Sequence, residues 1–235
     1  MFIKLLISAF SLLWTPPQVR IPGPGGTAPM SMPALVGAVC TNGTSSAVSM
    51  TGANFFVASV AGAAVGGSVS DSSRNAWIAL TGAGSGPADQ LFYAQNPTVT
   101  SSQTFTLGTG GSSTTLCVLG FSNMATSGVY EAGTVNNHTT AAGGTTATTG
   151  GTTPAAPINV LITSIANGTS GVRGSSIDSG FTLPSGGIST GSGGYWGNAI
   201  GYLIQTGTAS QNPTWTMNGT SGQNWQASIA SFVGQ

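Results

Sequence analysis

The sequence predicts an all-β fold: an antiparallel two-sheet β-sandwich of jelly-roll-like form, led by an extended Pro/Gly-rich N-terminal arm. Three observations carry that expectation. Thr, Val and aromatic residues punctuated by Gly dominate the chain, and β-branched side chains fit a pleated surface whereas Gly is costly inside a helix. Short apolar runs recur between turn signals from Ala34 onward, at the spacing of a sandwich or jelly roll. Charged residues make up only 3% of the 235, against about 25% in an ordinary domain. Surface ion pairs worth about 0–1 kcal/mol each cannot hold such a chain together, so apolar burial and backbone ladders must.

Taken in order, Met1–Trp14 (MFIKLLISAFSLLW) sets one Lys before an apolar run of leader length. The run is too short to cross a bilayer, which takes about 20 apolar residues, so no membrane span is expected. No small-residue cleavage site follows, and two readings stay open. One is a secretory leader. The other is a retained assembly arm that sets Phe2, Leu5, Leu6, Leu12, Leu13 and Trp14, with Pro16, Pro17 and Arg20 behind them, against a neighbouring subunit or the body of the domain. Six prolines and three glycines make residues 15–33 an extended linker or clamp. Residues 1–33 are therefore the arm, or leader plus linker, and residues 34–235 are the sandwich domain.

The expected strands are Ala34–Cys40, Asn54–Val60, Asn75–Leu80, Leu91–Ala94, Gln103–Leu107, Thr114–Phe121, Gly128–Thr134, Ile158–Ile165, Gly180–Leu183, Asn198–Gln205, Pro213–Met217 and Trp225–Val233. Gln103–Leu107 alternates, with Phe105 and Leu107 on the core face. Leu116–Leu119 and Val160–Ile162 are continuous apolar runs, suited to central strands covered on both sides. Asn42-Gly43, Asn167-Gly168 and Asn218-Gly219 supply the φ > 0 pair of a tight hairpin turn. They also spell N-x-T, as does Asn137-His138-Thr139, but turn chemistry explains the Asn-Gly pairs without a sugar. Gln95-Asn96-Pro97-Thr98-Val99-Thr100 recurs as Gln211-Asn212-Pro213-Thr214-Trp215-Thr216, each copy reading as a Pro-initiated strand. Thr139–Thr153 is low in complexity and reads as a long surface loop with a weak edge strand.

Zero net charge and a pI near 6.5 remove the cationic footprint that phosphate neutralisation requires, which excludes nucleic acid as the ligand. The four acids Asp71, Asp89, Glu131 and Asp178 are scattered singly, without a spacing that places two oxygens on one cation. Neither a metal site nor a cofactor is expected. Asp71, ahead of Trp77, reads as closing a turn by accepting backbone N–H bonds, with Ca²⁺ held by Asp71 and carbonyls as the metal alternative. Gly187-Ile188-Ser189-Thr190-Gly191 matches G-x-S-x-G but runs on into Gly-rich loop instead of a helix. Its only histidine partner, His138, sits in a distant polar stretch. No catalytic residue is assigned, and the chain is not expected to be an enzyme. Cys40 and Cys117 lie inside apolar runs and are either buried thiols or a cross-strand disulfide. Tyr195 and Trp196, framed by glycines, are the aromatic pair that would stack on a sugar while Asn198 or Ser192 bonds its hydroxyls. The competing reading packs Trp196 at the end of the sandwich.

The stretch Ser68–Trp77, then Leu91-Phe92-Tyr93-Ala94, the Thr98–Leu107 segment and the closing Asn224–Phe232 resemble a β-sandwich surface domain of tailed-phage virion proteins and of bacterial surface or secreted proteins. The resemblance covers about residues 34–233 and brings no catalytic residue with it. It implies a non-enzymatic virion structural protein, a capsid decoration, minor structural or tail-surface component; the arm before Ala34 departs from that domain, and its apolar, Pro-rich composition together with the near-absence of charge adds the expectation that the chain docks through the arm onto other virion proteins or copies of itself, as a homo-oligomer. The alternative that the resemblance implies is a secreted, extracellular carbohydrate-binding or adhesion module that meets a cell-surface glycan.

Overall fold

The apolar runs of the chain assemble into two five-stranded antiparallel sheets that bury one face against each other. The computed structural model describes residues 31–64, 66–82, 84–108, 113–133, 136–140, 144–168, 172–189, 196–219 and 224–235, with 85–86 and 136–140 described by backbone alone. All the site residues placed on the N-terminal arm, Phe2, Leu5, Leu6, Leu12, Leu13, Trp14, Pro16, Pro17 and Arg20, lie outside the described residues. No described helix is long and apolar enough to cross a membrane.

The first half of the chain contributes β1 (Ala34–Thr41), β2 (Phe55–Ala64), β3 (Val69–Asp71), β4 (Ile78–Ala79), β5 (Ser85–Gln95), β6 (Phe105–Leu107) and β7 (Thr115–Ser122). The second half contributes β8 (Asn136–Thr140), β9 (Thr146–Thr148), β10 (Ile158–Asn167), β11 (Gly174–Ile177), β12 (Ile188–Ser189), β13 (Gly197–Thr206), β14 (Thr214–Met217) and β15 (Trp225–Val233). One sheet runs β1-β7-β2-β5-β4 and the other β12-β13-β10-β15-β8. The antiparallel two-sheet sandwich expected from the sequence is thus formed, with each half of the chain completing its own sheet.

Read from its β8 edge, the second sheet repeats the first: β8, β15, β10, β13 and β12 take the places of β1, β7, β2, β5 and β4. The register agrees residue by residue. Ser59 of β2 pairs with Leu91 and Cys117, and Ser164 of β10 pairs with Ile200 and Ser228. Two residues back, Val57 pairs with Tyr93 and Leu119, and Ile162 with Tyr202 and Ala230. Two residues forward, Ala61 faces Asp89 and Ala166 faces Asn198. The chain is therefore an internal structural duplication in which Ser59 corresponds to Ser164, Tyr93 to Tyr202, Phe121 to Phe232, and Asp89 to Asn198.

Between the sheets lie Phe55, Val57, Leu91, Leu119 and Phe121 from the first half and Val160, Ile162, Ile200, Ala230 and Phe232 from the second. The outer faces are covered as well. Met50, Val69 and Phe105 close over Phe56, Phe92, Leu116 and Val118 on one side, and Ala147, Trp215 and Met217 close over Ile165, Ala199 and Ala227 on the other. Strands buried on both faces read as unbroken apolar runs, which is why Leu116–Leu119 and Val160–Ile162 lose their alternation. The covering layers are the β3-β6 pair and the β11-β14-β9 sheet. Their solvent sides carry matching hydroxyl rows: Ser70, Thr106 and Thr44 on one, Ser176, Thr216 and Thr146 on the other.

Several expectations need correction. Gly128–Thr134 is not a strand as far as it is described; Tyr130 makes a single bridge to Phe232. Asn75–Leu80 shrinks to β4, and Gly180–Leu183 to one bridge between Thr182 and Tyr202. None of the three Asn-Gly pairs takes a positive φ; they end β1, β10 and β14, but the chain leaves each strand through a longer connection. The two copies of the Gln-Asn-Pro-Thr repeat do not both open a strand. Only the second copy opens one, β14, while Thr98 has its N–H and C=O bonded by the Asn75 side chain in place of a neighbouring strand. The structural counterpart of Trp215 is Phe105, opposite Asp71 as Trp215 is opposite Ile177. Cys40 and Cys117 face each other on β1 and β7 and form a disulfide.

Candidate functional site

Strand alternation sends Asp89, Leu91 and Tyr93 of β5 to the face that meets the second sheet. Asp89 is fully buried there. Its Oδ1 lies 3.0 Å from the Ser59 hydroxyl on the neighbouring strand, and its Oδ2 accepts a 2.6 Å bond from the Ser164 hydroxyl across the interface. Ser228 on β15 and the Gln90 backbone also bond to it. Burial pushes its carboxyl up to about 6, against the pull of these hydrogen bonds, because a charged oxygen loses hydration that hydroxyls only partly replace. Asn198, its counterpart in the duplication, donates from Nδ2 to the Ser59 and Thr115 carbonyls at 3.0 and 3.3 Å, and its Oδ1 lies 2.9 Å from the Ser59 hydroxyl. The result is a closed polar node linking β2 and β5 to β10, β13 and β15.

This placement takes Asn198 out of the proposed glycan contact: its side chain is buried, and both ends are bonded inside the interface. Tyr195 and Ser192 lie outside the described residues. Trp196 is half-buried at the rim. Its N–H donates to the Ser113 carbonyl and its own carbonyl accepts from the Thr115 hydroxyl, at 2.9 and 3.1 Å. Its ring packs along Gly168, where a Cβ would come within 2.8 Å of Cζ3 and within 3.4 Å of Pro87. Trp196 thus sits where the competing reading puts it, at the end of the sandwich.

The other acids are fastened to the fold. Asp71 is the hub of a turn: Oδ1 accepts from the Ser73 N–H, the Asn75 amide and the Gln103 amide at 2.9–3.1 Å, and Oδ2 from the Trp77 indole at 2.8 Å. A carboxylate that gathers N–H donors in this way closes the turn. Glu131 Oε1 accepts the Ala155 and Ala156 N–H groups at 2.9 and 2.8 Å. Asp178 accepts the Thr214 N–H and the Ser179 hydroxyl, bonds that hold its carboxyl below the usual range, the Thr214 contribution being largest. Among the described residues no three His, Cys, Asp or Glu side chains gather to hold a metal.

The G-x-S-x-G serine, Ser189, lies on edge strand β12 and bonds to the Asn42 side chain at 3.2 Å. His138 lies on β8, the opposite edge of the same sheet. With three strands between them at about 4.8 Å per step, the two backbones are roughly 19 Å apart. The structure does not bring these residues together.

What sequence reasoning missed is the node itself. Asp89 reads as one more isolated acid, and the only local sign of its inward aim is its parity with Leu91 and Tyr93. No protein-family model, curated protein or solved structure matches the chain.

Proposed function

We propose that the chain is a non-enzymatic structural component of a virion surface, a head decoration or tail-surface protein that works through contact, with residues 1–33 supplying the attachment. The observation that carries this reading is how the polar groups are spent. All four carboxylates accept hydrogen bonds that hold turns or the sheet interface, while the outer layers present neutral Ser and Thr rows to solvent. Neutral rows suit closely packed identical subunits, since like charges facing across a symmetry axis repel. The resemblance of the Ser68–Trp77 and Asn224–Phe232 segments to virion surface domains supports the same direction.

The test is incorporation. Deleting residues 1–33 should leave a folded domain that no longer enters particles; normal incorporation of the folded deletion protein removes the attachment role. One observation favours the second reading, a secreted carbohydrate-binding or adhesion module: the Cys40–Cys117 disulfide, a bond that persists in oxidising compartments. N-terminal sequencing of the native protein separates the two, because a start at Met1 fits the arm and a start beyond Trp14 fits secretion. A glycan-array signal lost in Trp196→Ala would support the module; an unchanged signal removes Trp196 from sugar contact.

A further inference from the structure

At the node around Asp89, the Ser59 hydroxyl faces one acceptor more than it has hydrogens. The Ser59 hydroxyl sits 3.0 Å from Asp89 Oδ1 and 2.9 Å from Asn198 Oδ1. The Asn198 amide cannot turn its nitrogen toward Ser59 Oγ without abandoning the two carbonyls that its Nδ2 bonds. A serine hydroxyl has a single hydrogen, so with Asp89 ionised one of these two oxygen–oxygen contacts holds no proton. A proton on Asp89 Oδ1 completes the row. Asp89 then donates to Ser59, Ser59 donates to Asn198, and Oδ2 goes on accepting from Ser164. Both the Ser59–Asn198 and the Asp89–Ser164 bonds cross from one sheet to the other.

We propose that Asp89 is a proton-operated latch between the two halves of the duplicated fold, fully made only when its carboxyl takes up a proton from solution, so that mild acid tightens the sandwich. Its neighbours leave it in control. β2, β4, β10 and β15 carry no Asp, Glu, Lys, Arg or His, and Cys117 on β7 is held in the disulfide. Tyr93 and Tyr202 lie four residues along β5 and β13. His138 lies on β8 in register with Ala227, with its side chain outside the described residues.

The direction of the effect follows from linkage. The folded carboxyl titrates at about 6 and the unfolded one near 3.8, so the native state binds the proton more tightly. The stabilisation is full below the unfolded value and is lost as pH rises through 6, a change in folding equilibrium of roughly a hundredfold over the whole range and about tenfold between pH 5 and pH 8. Asp178, with its carboxyl lowered, acts in the opposite sense but below pH 4, outside that window.

Urea unfolding of the full chain at pH 5 and pH 8 is the test. The wild type should fold about tenfold more favourably at pH 5. Asp89→Asn should flatten the difference to under threefold, and His138→Gln should leave it intact. Ser164→Ala, which removes a donor from the ionised form, should move the pH midpoint upward and keeps the test decisive where Asp89→Asn does not fold. The latch is overturned by a wild type that is indifferent to pH or weaker in acid, by an unaltered pH response in Asp89→Asn, by loss of the response in His138→Gln, or by an unmoved midpoint in Ser164→Ala.

Discussion

Asp71 shows what a carboxylate contributes in a chain that has four acids. It gathers donors from Ser73, Asn75, Trp77 and Gln103, and Gln103 is fully buried. Leaving a buried donor without its acceptor costs about 1–3 kcal/mol. Asp71→Ala should therefore lower the unfolding free energy by about 3 kcal/mol in a urea titration, with the Trp77 indole emission shifting to the red as it loses its partner. Asp71 was legible from sequence, because an Asp two residues before the serine whose N–H it accepts is a local device. Asp89 was not. Its partners Ser59 and Ser164 lie 30 and 75 positions away in the chain, with Ser228 farther still, and no local pattern encodes a contact across two sheets.

At the scale of the element, legibility follows burial. The run Trp225–Val233 reads as β15 to the residue, because its apolar residues Trp225, Ala227, Ile229, Ala230, Phe232 and Val233 recur closely after a polar, Gly-rich turn segment. β8, β9, β11 and β12 are short and Ser/Thr/Asn-rich; they owe their pairing to the strand beside them and leave little periodicity to detect. The β1–β7 pair is stapled by Cys40–Cys117, which closes a loop of 77 residues. Constraining a loop of that length in the unfolded chain stabilises by about 4 kcal/mol on the chain-entropy account. Paired denaturant titrations with and without reductant should show a loss of that order, and the Cys40→Ala, Cys117→Ala double variant should match the reduced wild type while ignoring reductant.

At the scale of the whole molecule, the described body from Ser31 onward is two like halves that share one interior. Each bares an inner face when alone, with Phe55, Val57, Leu91, Leu119 and Phe121 on the first. At about 2 kcal/mol for each large apolar side chain, exposing five of them costs about 10 kcal/mol, comparable with the whole stability of a typical domain. Residues 31–133 and 134–235 produced separately should give no cooperative melt, and mixing them should restore one, followed by near-ultraviolet circular dichroism. A sharp melt from either fragment alone would mean that its sheet needs no partner. The all-β class and the sandwich were legible from composition and strand spacing. The duplication was not, because equivalent positions share an environment more than an identity: Phe55 matches Val160, Phe105 matches Trp215, and Cys117 matches Ser228.

The hydroxyl rows on the two outer layers also bear on how copies of this protein would associate. Ser70, Thr106 and Thr44 on one side and Ser176, Thr216 and Thr146 on the other are uncharged, and ionic atmospheres act only on charge. An assembly built on these rows should keep its sedimentation profile from about 0.05 to 1 M sodium chloride, where charge-steered complexes dissociate. Dissociation over that range would place the contact on the chain's few lysines, arginines and acids instead.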